Sequence, residues 1–596
     1  MLVERRRSIL SADLLIRVGA SWFIVASLLL AINWQGIAER RFPDPDDTMR
    51  LMQVRDLIAG QGWFDLTQYR VDAPGGGVPM HWSRLVDLPL FLVITLLSPL
   101  IGAYAAETAA LVIVPLVTLF LAMLLTARIA WRLLGEEEAM LTALILAISV
   151  PVLFQLGPMR IDHHGWQIVF ALLAMNGLMA RSARAGGLVI GAACATWLTI
   201  SIEGLPLAAA IFAVLSLRWL RDRDGNAWLV SATQALAVTG IALFVMTRGV
   251  ADLATYCDAL SPLHLAMFGW GAVVLTLLRR IEPVPIALVI AGFVLAGGGA
   301  AALMIGAAPQ CVSGGGFSDL DPLVVQHWYN QVHEGLPIWL QKPGVALQYG
   351  VTPFIGLWSA VRLVRESRAW LARFWTDYAL ILAAAAIIAL FVARAGALAC
   401  ILAAPPLAWQ VRHWLRASRL IERPGRRIAA LLAVAIALLP SLPLVLALSA
   451  MPASAAHSVG MGSIEAVRSV SCRVPRHAEL LDSLSPGEIY APLDISPDLL
   501  SHTHHSVIAT GHHRGNETMR FVIATALGPT EEARKALASR GTAYLAMCPK
   551  LNEIWLYRKA APGGFVARLV DGDVPDWLEP VEAFEGTGIK VWRIRP

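Results

Sequence analysis

Three carboxylates stand within four residues at Asp44, Asp46 and Asp47, in the stretch Phe42-Pro43-Asp44-Pro45-Asp46-Asp47-Thr48-Met49-Arg50. Such acids repel one another unless a proton or a cation separates them. Hard oxygen ligands of this kind suit Mg²⁺ or Mn²⁺, although a solvated acidic turn helped by the two prolines uses the same residues. A second cluster reads Arg160-Ile161-Asp162-His163-His164-Gly165-Trp166-Gln167. Asp162, His163 and His164 offer one carboxylate and two imidazoles, all competent metal ligands; the alternative is an interfacial loop whose histidines bond to the backbone. Two further acids, Glu203 in Ile200-Ser201-Ile202-Glu203-Gly204 and Glu334 in Val332-His333-Glu334-Gly335-Leu336-Pro337, have the chemistry to complete a metal site or act as a base. Residue type alone does not choose between them. Near the C-terminus, His502, His504 and His505 precede Gly511-His512-His513-Arg514-Gly515-Asn516. His512, His513 and Arg514 can contact a phosphate or an acceptor or bind a metal, or they form a polar face packed on the rest of the chain.

The elements that position these groups are set by composition. The chain has 596 residues, of which 57% are hydrophobic and only 15% charged, against about 25% charged in an ordinary soluble domain. Mean hydropathy is +0.61. A soluble globule could not hide that much apolar surface, so lipid is part of the solvent. This excludes a soluble enzyme, a disordered protein and a nucleic-acid binder. The net charge of +5 reads as cytoplasmic loops and not as a nucleic-acid patch.

Arg5, Arg6 and Arg7 precede a first apolar run at Val18–Trp34, read as an uncleaved helix with its N-terminus inside. A long polar stretch follows, from Gln35 to Asp87. Leu88–Gly102, interrupted by Pro89 and Pro99, is expected to lie at the outer interface without crossing. Further runs occupy 106–126, 139–157, 167–180, 187–203, 205–219, 227–247, 262–278, 284–306, 346–362, 376–392, 396–410 and 428–450, giving thirteen expected spans. On this count Arg128 and Arg132, Arg181 and Arg184, Arg218–Arg223, Arg279 and Arg280, Arg362–Arg373 and Arg412–Arg427 all fall inside. The acids and histidines above then share the outer face, in a first loop at 35–105, the short turns at Asp162 and Glu203, and a loop at 307–345. The fold class expected is a polytopic α-helical membrane protein of about thirteen helices over 1–452. An extracytoplasmic α/β domain over 453–596 completes it, with short strands such as Ser506–Thr510 and Lys590–Ile594. Cys257 and Cys311 fall in outer loops and Cys472 and Cys548 in the outer domain, compatible with two disulfides in an oxidising periplasm. Cys194 and Cys400 read as packing residues.

Order and sidedness together resemble the GT-C superfamily of membrane glycosyltransferases, and most closely the catalytic subunit of oligosaccharyltransferase. That family has a long first outer loop with a catalytic Asp, which Asp46 matches best, with Asp44 a rival. Its Asp-His-His-x-x-Glu element is similar to Asp162-His163-His164-Gly165-Trp166-Gln167, where Gln167 replaces the final acid. Glu334, followed by Pro337, takes the place of the family's Glu in the loop between spans nine and ten, which favours it over Glu203. Arg394 matches an arginine that binds the donor phosphate. The family's Trp-Trp-Asp-Tyr-Gly acceptor reader has no counterpart; the comparable stretch is Ala491-Pro492-Leu493-Asp494-Ile495-Ser496-Pro497-Asp498.

The resemblance implies a sugar or oligosaccharide transferred, with inversion, from a polyprenyl phosphate or pyrophosphate donor. The acceptor would be a periplasmic protein, glycan or lipid, at a bacterial inner membrane. Asp46, Asp162, His163 and His164 would hold Mg²⁺ or Mn²⁺, Asp46 or Glu334 would orient and deprotonate the acceptor, and Arg394 would hold the donor phosphate. The alternatives are a metal-independent single-sugar GT-C transferase and a lipid-linked glycan transporter. A transporter would place its ionisable groups near mid-membrane and often show internal repeats.

Overall fold

The computed structural model describes residues 11–281, 284–314, 317, 319–449 and 473–595. Helix α1 (Ala12–Ala38) starts on Ser11, whose side chain accepts the Leu14 amide. Helix α2 (Pro45–Ile58) follows, then a small ribbon of β1 (Thr67–Gln68) and β2 (Val78–Pro79). Next come α3 (Arg84–Ile101), α4 (Ala103–Leu133), α5 (Glu136–Ile148), α6 (Val150–Leu156), α7 (His164–Gly177), α8 (Ala183–Ile200) and α9 (Leu205–Arg221). The bundle continues with α10 (Asn226–Thr247), α11 (Pro262–Arg279) and α12 (Ile286–Ala307). After the short α13 (Gln310–Gly314) and α14 (Pro322–His327) it closes with α15 (Pro343–Glu366), α16 (Ala369–Phe391), α17 (Gly396–Arg419), α18 (Pro424–Leu438) and α19 (Leu442–Ser449).

Among the described residues every expected apolar run falls mainly on helix, with 139–157 and 428–450 each broken into two. Among the described residues nine helices are long and apolar enough to cross a membrane, or ten if α5 and α6, bent by 73°, form one span. The lower count has physical reasons. Helix α7 has 14 residues, about 21 Å against a hydrocarbon core of roughly 30 Å. Helix α17 contains Pro405 and Pro406 and is buried from Gly396 to Val411, in the middle of the bundle.

Helix α3 is longer than expected and is one of the nine. Gly102, at φ +83°, turns the chain sharply, and α3 folds back so that Leu90 and Ile94 pack in one cluster with Ala110, Leu111 and Val114 of α4. Both ends of this hairpin are tied to α2. Asp87 near its start pairs with Arg50 at 2.9 Å, and Glu107, just past its end, with Arg55 at 2.8 Å.

Residues 473–595 form a mixed five-stranded sheet in the order β4-β3-β5-β7-β6. Its strands are β3 (Glu488–Tyr490), β4 (Ser506–Val507), β5 (Tyr544–Met547), β6 (Leu578–Pro580) and β7 (Lys590–Ile594). β3 runs parallel to β4 and β5, and β7 antiparallel to β5 and β6. The first loop joins this unit: Val71 bridges to Val507 at the sheet edge. Met49, Met52, Leu66, Val78, Met80 and Trp82 share one hydrophobic core with the sheet and its helices. That packing sets α2, and the acids at its start, against the C-terminal unit. The Cys257–Cys311 disulfide is present; Cys472 lies outside the described residues. Cys194 and Cys400 are buried and unpaired.

Candidate functional site

Asp44 caps α2, its side chain accepting the Asp46 amide at 3.0 Å, and Pro45 takes the first helical position, where no amide is needed. The turn presents Asp46 and Asp47 in different directions. Asp47 is fully buried and accepts the amides of Ile161 at 2.7 Å and Asp162 at 2.9 Å. The two acidic motifs are thereby fastened together, carboxylate to backbone.

The cation between these acids is a side chain. The Arg160 guanidinium lies 3.3 Å from Asp44, 3.2 Å from Asp47, 3.0 Å from Asp162 and 3.9 Å from Glu334. Burial works against its charge, but the surrounding acids raise its pKa further and keep it protonated. Asp162 is held well below the usual carboxylate range, Arg160 and His164 outweighing burial. Asp47 goes the other way: burial, with Asp162 and Asp44 nearby, pushes it well up against Arg160.

Asp46 faces the C-terminal unit. Its Oδ1 is 3.1 Å from Nε2 of His512, and its side chain keeps 30% of its exposure. Burial disfavours its charge, yet the hydrogen bond and charge of His512 hold the carboxyl below its ordinary value. His512 is fixed by Thr510, whose hydroxyl lies 2.9 Å from Nδ1, and by the edge-to-face Trp82 ring at 5.2 Å.

Glu203 and Glu334 meet at one arginine. Arg394, in the turn between α16 and α17, lies 2.8 Å from Glu203 and 3.6 Å from Glu334. The Ala393 amide donates to Leu336 O at 3.1 Å, pinning the loop that carries Glu334 to that turn. Burial and Asp44 raise the Glu334 pKa, with Arg394, His164 and Arg160 opposing. Gly204 makes the Glu203 turn possible, since a Cβ there would sit 2.4 Å from the Trp197 ring. The Trp197 indole in turn donates to Gln167 Oε1 at 3.0 Å, so Gln167 is bonded to the bundle.

Among the described residues two groups of side chains are close enough to share a metal ion. In one, ligand atoms of His163, His164 and Glu203 lie within 4.8 Å of one another; the other is His81, Asp258 and His513. The expected set of Asp46, Asp162, His163 and His164 is thus divided. The two histidines gather with Glu203, while Asp46 pairs with His512 and Asp162 with Arg160 and His164. The donor chemistry of the first group fits a divalent ion.

The second group lies at the seam between the units. Asp258 sits 2.8 Å from His513 and 2.7 Å from Arg514, and Arg514 stacks over Tyr256. His513 and Arg514 hold Asp258 far below its ordinary value against burial. The C-terminal histidines therefore part ways: His512 joins the acids, His513 and Arg514 close the seam. His502, His504 and His505 bond within the C-terminal unit, to Asp498, Asp482 and Leu481. Sequence reasoning missed Arg160 as counter-ion and Asp258 with His81 as seam residues. Only the first left a signal, an arginine two residues before Asp162.

The chain matches no protein-family model and no curated protein sequence. Its fold does match solved structures. The archaeal oligosaccharyltransferase AglB from Archaeoglobus fulgidus, in complex with an inhibitory peptide and a dolichol-phosphate, superposes with a TM-score of 0.61 at 13% identity. That match covers 94% of this chain and 72% of AglB. The chain has the oligosaccharyltransferase fold. The Archaeoglobus fulgidus enzyme tethered to an acceptor peptide containing the NVT sequon gives a TM-score of 0.62 at 13% identity, covering 96% of this chain and 74% of that one. A third structure of the same enzyme, complexed with Zn and sulfate, gives 0.53 at 14% identity, covering 94% and 71%. The oligosaccharyltransferase fold confirms the polytopic helical architecture with a C-terminal sheet unit that the sequence led us to expect. On this fold, the charged groups described above occupy one end of the bundle, under the C-terminal unit.

Proposed function

We propose that the chain is a GT-C glycosyltransferase that moves a sugar or oligosaccharide from a polyprenyl-linked phosphate or pyrophosphate to an acceptor at the periplasmic face of a bacterial inner membrane. The observation that carries this reading is the meeting of Arg394 and Glu334, 3.6 Å apart, beside the Arg160 cluster at one end of an oligosaccharyltransferase fold. Four separate segments contribute to that meeting, and the acids Asp46, Glu203 and Glu334 remain partly exposed there.

Arg394 suits the donor phosphate: its Nε is buried without a hydrogen-bond partner, and charge-assisted bonds to phosphate are strong. Asp46, ionised and partly exposed, takes the acceptor's proton as the new glycosidic bond forms and the sugar–phosphate bond breaks. Glu334 orients the acceptor from the opposite wall. A divalent ion held by His163, His164 and Glu203 would supply Lewis-acid stabilisation of charge on the leaving phosphate. The AglB structure is in complex with a dolichol-phosphate and an inhibitory peptide, and a second structure of the enzyme is tethered to an acceptor peptide; both favour a lipid-linked donor for this chain.

One observation favours a metal-independent transfer of a single sugar to a glycan or lipid. Arg160 already neutralises Asp44, Asp47 and Asp162, the acids for which a metal was expected. Chelation separates the two readings.

The test is a glycan profile of cells lacking the chromosomal copy and expressing wild type, Asp46→Ala or Glu334→Ala at equal membrane levels. Both variants are expected to lose the same glycan species while lipid-linked donor accumulates, and the missing product identifies the acceptor. Wild-type profiles from both variants would overturn the transferase reading and leave transport in its place.

A further inference from the structure

We infer that His512 is the positioning residue of Asp46: the C-terminal unit holds the carboxylate that takes the acceptor's proton, so the reacting end of this protein is assembled from two units. The role of Asp46 rests on the transferase reading; the part assigned to His512 goes beyond it.

Asp46 depends on that partner. Its neighbour Asp47 is fastened by two backbone amides and by Arg160. Among the described residues the one ion-pair partner of the Asp46 carboxylate is His512, whose Nε2 lies 3.1 Å from Oδ1. The acid keeps 30% of its side-chain exposure and the imidazole only 3%. The contact thus has a dry side, the histidine, and a wet side from which an acceptor can approach. It is bent, and Nε2 falls short of regular hydrogen-bond geometry; such pairs often straighten only when substrate is bound.

The surroundings decide which nitrogen carries the proton. The Thr510 hydroxyl, 2.9 Å from Nδ1, can donate or accept. Ionised Asp46 can only accept. A neutral imidazole therefore keeps its proton on Nε2, and the Thr510 hydroxyl donates to Nδ1. During transfer the acceptor's proton passes to Asp46, and the electron pair it leaves forms the bond to the sugar. The sugar–phosphate bond breaks with its pair going to the phosphate. His512 neither gains nor loses a proton. It holds one carboxylate oxygen and aims the other, and a reacting group displaced by about 1 Å costs about 100-fold in rate.

Contacts from both units set the ring. Trp82 stands edge-to-face to it at 5.2 Å, and the Arg50 guanidinium lies over the Trp82 ring at 4.6 Å. Arg50 follows Asp46 by one turn of α2 and pairs with Asp87 at 2.9 Å. The helix that carries the acid thereby also fixes the wall beside the imidazole. Next in the chain, His513 and Arg514 reach Asp258 at 2.8 and 2.7 Å. Asp258 follows Cys257, whose disulfide to Cys311 ties the loop after α10 to the segment after α12. A histidine with a structural part looks different. His505 places Nδ1 and Nε2 beside the carbonyls of Gly487 and Leu481, inside its own unit.

The experiment uses the full chain in membranes of a strain lacking the chromosomal copy. Lipid-linked donor extracted from that strain is added in increasing amounts, and its consumption is timed per folded molecule, with folded yield read by gel filtration in detergent. His512→Phe keeps a ring against Trp82 and removes the N–H. Its kcat should fall about 10- to 100-fold, with KM for the donor within about twofold of wild type; His512→Ala repeats the measurement without the ring and should fall likewise. His512→Gln keeps an N–H for Asp46 and should recover most of the loss. Added to Asp46→Asn, His512→Phe should take nothing further from the residual rate, because it acts through the carboxylate. His504→Ala, in the same unit, should transfer as wild type does. Wild-type kcat in His512→Phe, equal losses in His512→Phe and His512→Gln, or a further loss on top of Asp46→Asn overturns the inference. Wild-type transfer by Asp46→Asn removes the reading on which it rests. Loss of transfer in Asp46→Asn with His512→Phe intact removes the inference and leaves that reading.

Discussion

Helix α16 carries one charge in its third turn, Asp377, and is followed by another, Arg394, and the two are built differently. Near its start, Asp377 is fully buried, with one carboxylate oxygen 2.6 Å from Arg218 and the other bonded to Arg221, both on α9. Just past its end, Arg394 shares two carboxylates that keep 37% and 28% of their exposure, and its Nε has no partner. The Asp377 end is a closed ion-pair set in which each oxygen has a cation. The Arg394 end leaves its carboxylates partly exposed and one buried N–H without a hydrogen bond. The difference teaches that burial of charge does not by itself mark function in this bundle. Incomplete pairing next to partial exposure does.

The sharpest way to break that comparison is to remove both charges and ask which loss is chemical. Arg394→Ala should cut sugar transfer by about 10²- to 10³-fold, the scale of losing a preorganised donor to developing charge, with little change in folded yield. Asp377→Ala should do the opposite. It leaves the largely buried Arg218 without its carboxylate, while Arg221, 40% exposed, stays solvated, so folded protein should fall while transfer per folded molecule stays within about twofold of wild type. Yield is measured by gel filtration in detergent and transfer on the monodisperse fraction. Loss of transfer in well-folded Asp377→Ala would erase the distinction between the two ends.

The fold was legible to the degree that it depended on local pattern. Apolar runs gave the helices, and β-like runs gave β4 and β7. The interruption by Pro89 and Pro99 made α3 look shorter than its 18 residues; Pro89 falls in its second turn and Pro99 in its last, and the helix continues through both although each removes a backbone hydrogen bond. The site was legible in membership but not in pairing. Asp46, Asp162, Glu334 and Arg394 were each visible as unusual charges near apolar runs, yet nothing in the sequence says that Arg394 reaches Glu203, 191 positions away. Arg160 was visible and its role was not, because a guanidinium among acids and a metal among acids leave the same carboxylates behind. The seam of Asp258 with His513 and Arg514 depends wholly on docking of the C-terminal unit, and no local period encodes that.

The smallest expected effect sharpens the same contrast within the C-terminal unit. Glu553 is a buried acid satisfied at close range: it accepts the Leu493 and Asp494 amides, each at 2.9 Å, and the Tyr557 hydroxyl at 2.6 Å. It therefore belongs with Asp377 as a closed arrangement, but the groups that bond it are two amides and a hydroxyl. Burial and the nearby Asp494 push its pKa up to about 8, against those three hydrogen bonds. Its unfolded-state value is about 4.3, so between those limits the folded chain binds the proton that the unfolded chain has lost. Stability then falls as pH rises from about 4.3 and levels off above about 8. Glu553→Gln cannot ionise and should flatten that slope, at the cost of one of the two amide bonds at Leu493 and Asp494. Thermal melting of the full chain from pH 5 to 8 reads the effect. Parallel slopes for wild type and Glu553→Gln would mean that Glu553 is ionised throughout, and that the acid is held by charge, as Asp377 is, with a cation not yet identified near Asp494.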